Sequence, residues 1–377
     1  MFDFENKGVF FPDVHDNFKF VAFVFGARLR TFATARCAFY LTGLSDLEQV
    51  DRVLELKASD FDLVNPNTGA APVFRDARDA RITIGIYERQ PVLVRHAAAG
   101  AVKAWPVKFA QGKYNMSSDS AQFQTSDELE SAGFRRAAAN CWQQGDSHRI
   151  PLLVGKMIWH FDHRTSGVRV NAANLQVAAS AVPASIEQKQ DANFHPEPQY
   201  WVVPSSDDTE LKWVLAFRDI TNPTNARTAI ASIVPHRLAG NTLPLLLPEA
   251  QLPPAEAARQ SSLLLATMNS LVFDYVTRQK AKWTHLNWFI LEQLPVIQPA
   301  RFNDPLPAAF ATHMRAAGLM NGHHPEPTIA DFVVPQVLSL SYTAHDLAPL
   351  PAIWVMSMPK VRCCHLSCGT TKTAAPA

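Results

Sequence analysis

Phe18-Lys19-Phe20-Val21-Ala22-Phe23-Val24-Phe25-Gly26 is the stretch on which the reading of the fold turns. Aromatic and β-branched residues fill it and a glycine closes it, which is how a strand reads. Just upstream, Val9-Phe10-Phe11 forms a second strand-like run, followed by the turn signal Pro12-Asp13. A hairpin this apolar is not stable alone in water. It must pack on a sheet, so either later strands complete that sheet or its partner lies upstream of Met1.

Working outward, Asp60 to Gly69 carries turn chemistry. Arg75 to Pro91, with Ile82, Ile86 and Tyr87 spaced among charges, predicts a short helix stopped by Pro91. Ser126-Asp127-Glu128-Leu129-Glu130 offers a helix start with acids in its first turn, ending near Gly133. From Arg149 the texture changes to short strands and loops. Pro151-Leu152-Leu153-Val154 and Met157-Ile158-Trp159 flank Gly155-Lys156, and Val168 to Phe194, poor in charge, reads as an exposed loop or insertion. Further strands are predicted at Tyr200 to Val203, Trp213 to Phe217 and Arg227 to Val234. The strongest helical stretch is Ala255 to Met268, followed by a second from Ser270 through Lys280 with Leu271, Val272, Tyr275 and Val276 on an apolar face. There is no internal repeat and no heptad pattern.

With 377 residues, of which 47% are hydrophobic, the chain has length for two or three domains with real cores. Its 35 Lys+Arg against 34 Asp+Glu leave a formal charge of +1, so no overall field holds it on a polyanion or a membrane surface. Any such contact must come from local patches. Prolines (27) outnumber glycines (15), and neither G-x-G-x-x-G nor G-x-x-x-x-G-K-[ST] occurs, which argues against a self-contained nucleotide-binding enzyme of the common kinds. No run reaches the roughly 18 apolar residues that span a bilayer. The acidic start Met1-Phe2-Asp3-Phe4-Glu5 lacks the basic and apolar regions of a signal peptide, so a cytoplasmic protein without a membrane partner is expected. Five cysteines are too few for a disulfide framework, and Cys363-Cys364-His365 with Cys368 is an incomplete zinc knuckle without a second ligand pair.

Three constellations could carry chemistry. His160-Phe161-Asp162-His163-Arg164 gathers two imidazoles, a carboxylate and a guanidinium. On a strand His160 and Asp162 would share one face and His163 the other, so one metal would not collect all three. The plainer reading has Asp162 pairing with Arg164 or capping a turn, with Lys156 and Arg164 facing an anionic partner. Asp13 with Glu55 and Lys57 formally echoes the Pro-Asp…Glu-x-Lys pattern of magnesium-dependent nucleases, in which two carboxylates hold the metal. Arg218, Asn222, Asn225 and Arg227 form a polar cluster between two apolar strands, of the residue types that read guanine and adenine bidentately. Arg278, Lys280 and Lys282 add a basic segment at a helix end, suited to phosphates or to the helix's own last carbonyls.

At these segments the sequence resembles the adenine-specific DNA methyltransferases of type IIG restriction-modification and phage-defence systems, downstream of their catalytic motif. Phe4-Glu5-Asn6, Pro12-Asp13-Val14-His15 and Phe18-Lys19-Phe20 resemble the last strand pair of their methyltransferase domain. Asn65 to Gly69, Pro72 to Arg75, Asp119-Ser120, Gly155 to Ile158, Phe161 to Arg164, Phe217 to Thr221 and Asn225 to Thr228 follow in the same order. Asn269 to Tyr275, Arg278 to Lys280, His285 to Asn287 and Glu292 to Val296 are similar to the ending of a TaqI-like specificity domain.

The resemblance implies an α/β to α+β mixed chain: remnant strands of a Rossmann-like methyltransferase domain at 1–30, a connecting α/β region at 31–148, an α+β target-recognition domain at 149–300, and a tail at 301–377 that diverges after 347. Double-stranded DNA is the implied partner. Arg218, Asn222, Asn225 and Arg227 would be base readers, and Lys156, Arg164, Arg278, Lys280 and Lys282 phosphate contacts. S-adenosylmethionine serves the full-length family, but the F-x-G-x-G-like loop and the Asn-Pro-Pro-Tyr motif are absent here, and Asn65-Pro66-Asn67-Thr68 does not replace the latter. Val154 and Lys282-Trp283 also depart from the family pattern. No catalytic, cofactor or metal residue is therefore expected in this chain. Methyl transfer would come from a separate methyltransferase part or another defence-system subunit. The alternatives are a truncated gene fragment without function and the magnesium-dependent nuclease.

Overall fold

In the computed structural model, which describes residues 1–27, 30–170, 179–204, 212–235, 239–281, 284–316 and 326–350, the apolar opening becomes the edge of a four-stranded sheet. β1 (Phe2–Glu5) and β2 (Lys19–Ala22) pair antiparallel with Phe4 opposite Phe20. β1 also runs parallel to β3 (Ala35–Leu41), and β3 pairs antiparallel with β4 (Leu54–Leu56), giving the order β2-β1-β3-β4. Later strands thus complete the sheet. Val9-Phe10-Phe11 is not one of them, because a side chain supplies the local hydrogen bonds instead. The buried Asn6 donates from Nδ2 to Phe11 O (2.9 Å) and Val14 O (2.7 Å), and its Oδ1 accepts from Phe11 N (2.9 Å). Phe10 packs edge-on to Phe4 and Phe20, while Phe18, Phe23, Val24 and Phe25 remain exposed.

α1 (Ala58–Val64) and α2 (Ala77–Tyr87) follow, the latter capped by Asp76, whose carboxylate accepts from Asp79 N. The helix predicted before Pro91 is this one. A hairpin of β5 (Val94–Ala97) and β6 (Gly100–Lys103) leads to β7 (Val107–Ala110). α3 (Ser126–Ser131) opens on a reciprocal cap between Thr125 and Glu128. β8 (Arg135–Arg136), β9 (Trp142–Gln144) and β10 (Ser147–Pro151) form a meander. The strand predicted at Met157 to Trp159 is instead a 3-10 turn over Gly155–Met157. Within the presumed loop 168–194 the chain forms a hairpin of β11 (Ser166–Arg169) and β12 (Ser180–Pro183), then α4 (Ile186–Gln190). β13 (Trp201–Val202) joins the meander beside β10.

β14 (Trp213–Phe217) and β15 (Ala231–Pro235) pair over five residues each, and every one of the ten is buried. The second starts later than Arg227 because Thr228 N and Ala229 N donate to Asp274 rather than to a ladder. β16 (Leu245–Pro248) links β14 to β7, giving a central sheet of order β15-β14-β16-β7. α5 (Pro254–Met268) covers it, followed by α6 (Leu271–Lys280), whose first turn Ser270 caps. Both helices match the predicted stretches. α7 (Trp288–Leu291), α8 (Ala308–Ala316) and α9 (Ile329–Ser341) complete the described chain, α9 packing on α5.

The largest core cluster joins Cys37 and Phe74 to Trp213, Leu263, Val334 and Leu350. Burial on that scale is the main favourable term in folding, and it ties the segments drawn as 31–148 and 149–300 and the described part of 301–377 into shared packing. The chain is therefore a mixed α and β protein with several small sheets. Among the described residues no helix is long and apolar enough to cross a membrane. The Cys363, Cys364, His365 and Cys368 knuckle lies outside the described residues.

Candidate nucleic-acid interface

The loop from Arg218 to Thr228 joins the two buried central strands, and its shape is set from below by α6. Asp274, buried on that helix, accepts Thr228 N (2.6 Å) and Ala229 N (2.9 Å) on one carboxylate oxygen and Arg278 Nε (2.8 Å) on the other. Arg278 then donates from Nη1 to Pro223 O (2.7 Å) and from Nη2 to Ala226 O (2.8 Å). Thr221 Oγ1 donates to Thr228 O at 2.7 Å, and Asn222 Oδ1 accepts both Thr224 N and Thr224 Oγ1 at 2.9 Å. The backbone is held in place while Asn222, Thr224 and Asn225 stay exposed. Beside this loop Asp219, 9% exposed, pairs with Nδ1 of the exposed His285 at 2.9 Å. A framed backbone with exposed amide side chains is an arrangement that can present fixed hydrogen-bonding groups to a partner.

The structure brings Asn222, Asn225, Arg227 and Arg278 together and leaves the other expected residues elsewhere. Arg227 is half-buried, and its buried Nη1 has no hydrogen-bond partner among the described residues. Arg218 turns inward, donating from Nε to Gly155 O (2.8 Å) and from Nη2 to Ile158 O (2.9 Å), with its guanidinium 5.5 Å from the Trp159 ring. Burial lowers its pKa from the ordinary arginine value. Glycine suits position 155, where a Cβ would sit 2.5 Å from Thr242 O and 3.3 Å from Arg218 Cγ. Lys156 Nζ donates to Ala179 O. Arg164 is only 1% exposed, and Nη1 and Nη2 together reach four carbonyls: Asp191 (2.7 Å), Phe194 (3.0 Å), Lys189 (3.0 Å) and Thr343 (2.6 Å). A phosphate contact from Arg164 would require dismantling that cage. Lys280 donates to Val64 O and Asn65 Oδ1, both at 2.6 Å, under the Tyr87 ring. Lys282 lies outside the described residues.

His160 to Arg164 is a turn, with Phe161 at φ 61°, so strand alternation does not govern it. Its side chains separate. His160 Nε2 donates to Ala229 O at 2.8 Å, and burial lowers its pKa. Asp162 caps the turn by accepting Arg164 N (2.8 Å), but its charge partner is Lys189 (2.6 Å) and not Arg164. Burial pushes the Asp162 carboxyl up, and the Lys189 contact, the Arg164 N–H and the nearby His163 together more than reverse this, leaving it below its ordinary value. His163 Nε2 donates to Asp346 Oδ1 (3.0 Å), and His195 Nδ1 lies 3.2 Å from Asp346 Oδ2. Although burial opposes it, the two imidazoles hold the Asp346 carboxyl far below the usual carboxylate range. Sequence reasoning did not find this His-Asp-His cluster, since Asp346 stands 183 residues from His163 and no local spacing signals the pairing.

Among the described residues no group of three or more His, Cys, Asp or Glu is placed to hold a metal ion. Asp13 lies in the turn between β1 and β2, whereas Glu55 sits on β4 at the opposite edge of the sheet, and Lys57 precedes α1. The loop after the parallel strand β3 donates its Thr42 N (2.7 Å) and Gly43 N (3.2 Å) to the chain's own Asp46 carboxylate. No family model, no curated protein and no solved structure matches the chain.

Proposed function

We propose that this chain reads double-stranded DNA as the target-recognition portion of an adenine-specific DNA methyltransferase system of restriction or phage defence, with β1 and β2 as the remnant of a Rossmann-like catalytic domain. The observation that carries the reading is the 222–227 loop, whose backbone is fixed by Arg278 and Asp274 while Asn222 and Asn225 remain exposed. An asparagine amide donates to N7 and accepts from N6 of adenine in the major groove, and one such pair discriminates by about 1–3 kcal/mol. Arg227, half-buried at the loop's end with an Nη1 unpartnered among the described residues, would act as a second reader or a phosphate contact. Arg278 then serves as the positioning residue of the loop, and Arg218 as an internal brace. Methyl transfer, and S-adenosylmethionine with it, belongs to a separate methyltransferase part acting in the cytoplasm.

Fluorescence anisotropy with a randomised duplex pool at low salt tests this. Binding that weakens by about 0.9 log units per log unit of salt for each phosphate contact, with enrichment of a defined sequence, is the expected result. Asn225→Ala should relax one position of the enriched site and leave affinity for random duplex unchanged. Absence of duplex binding at every salt concentration would overturn the reading.

A further inference from the structure

A cleft of about 310 Å³ lies between α2, α6, the 64–74 segment and α7, away from the 222–227 loop. Phe74, Val276 and Phe289 give it apolar walls, and among the described residues Lys280 is the one charged side chain on its lining, with no carboxylate there. An ammonium group has three N–H donors. The Lys280 amine gives two of them to Val64 O and Asn65 Oδ1, leaving the third. On the same lining Gln279 accepts Thr83 Oγ1 at 2.7 Å through Oε1, and its amide is turned towards Tyr275. Apolar walls around one cation form a small-molecule site of ordinary size and character.

We propose that this cleft binds a small carboxylate with an apolar body, its charge met by Lys280. A monoanion matches one cation better than a phosphate dianion, whose second charge would have no partner. Burial pushes the Lys280 amine down to about 7, so an arriving carboxylate draws a proton onto it. Two tyrosines at this junction stay neutral in the same range. Tyr87, whose ring lies over the amine, is pushed well above its ordinary value by burial, and Tyr275, pushed up to about 12 by burial and by Asp79, donates to Asp79 at 2.8 Å. The site does not depend on the DNA reading.

The probe is 2-naphthoate, titrated calorimetrically into the full chain at pH 7 in two buffers of different ionisation enthalpy, with 2-naphthamide and 2-naphthyl phosphate as controls. The acid should bind at least about tenfold more tightly than the amide, a charge-assisted hydrogen bond's worth, and more tightly than the phosphate ester. The buffer pair should show uptake of a fraction of a proton. Lys280→Met should abolish the preference for acid over amide. Because that buried change risks folding, Ala70→Trp at the exposed rim should block acid and amide alike in a chain that keeps its unfolding transition. No binding of the acid, equal binding of acid and amide, or binding of the acid without proton uptake would overturn the proposal.

Discussion

Two polar segments that look alike in sequence meet opposite fates. His160 to Arg164 and Arg218 to Thr228 each set an aspartate and an arginine between apolar elements. In the first, Arg164 is buried and spends its guanidinium on four carbonyls that pin α4, the 191–194 turn and Thr343 together. In the second, the organising arginine is Arg278, which arrives from α6 and grips the loop's carbonyls from beneath. Its effect is to leave Asn222 and Asn225 outside. A guanidinium is thus a fastener wherever carbonyls converge on it, and the exposed groups beside it are the ones available to a partner.

The difference can be broken most severely at Arg164. Arg164→Met should cost about 3–5 kcal/mol of unfolding free energy, the range for breaking a buried charged network, read as a lower urea midpoint. Asp346→Asn should cost less, about 2–3 kcal/mol at neutral pH, since two charge-assisted hydrogen bonds are weakened. The folded Asp346 carboxyl titrates far below its unfolded value, so its stabilisation is present above the ordinary carboxylate range and is lost as pH falls through and below it. Thermal unfolding followed from pH 7 to acid should therefore show a shallower decline in the variant than in the parent chain.

Arg278→Met should cost about 1–2 kcal/mol, because the loop carbonyls it serves can turn to water. The sharper readout is amide exchange, which should accelerate over residues 222–229 and stay unchanged over Arg164's contacts. Smallest of all, Asn225→Ala should leave stability within about 0.5 kcal/mol, as for other exposed positions away from special features. If Asn225→Ala destabilises the fold as much as Arg278→Met, the contrast between a fastened segment and a presented one fails.

What could be read ahead of the structure follows the range over which each signal acts. α5 and α6 were legible because helix propensity and the apolar face lie within each segment, and α3 because the acids of its first turn, Asp127 and Glu128, are local to it. Val9-Phe10-Phe11 misled because Asn6 captures its backbone, and Met157-Ile158-Trp159 because the chain turns at Gly155 to bring its carbonyls to Arg218. In the candidate interface the cluster at 218–227 could be located from composition. The inward turn of Arg218, the cage of Arg164 and the burial of Lys280 could not, since each depends on carbonyls from other parts of the chain.

By itself, the sequence determined a globular chain of near-neutral charge with its strongest helices at 255–280, an apolar opening that had to find a sheet, and polar clusters at 160–164, 218–228 and 278–280. These follow from composition and from spacings of a few residues. Only the tertiary structure decided which cations are spent and which face outward, that Asp346 holds His163 and His195, and that Lys280 lines an apolar cleft. The reason is that a charged side chain's role is set by the acceptors and the solvent around it. Those neighbours come from residues up to 216 positions away, as for Lys280 and Val64, and no local pattern encodes them.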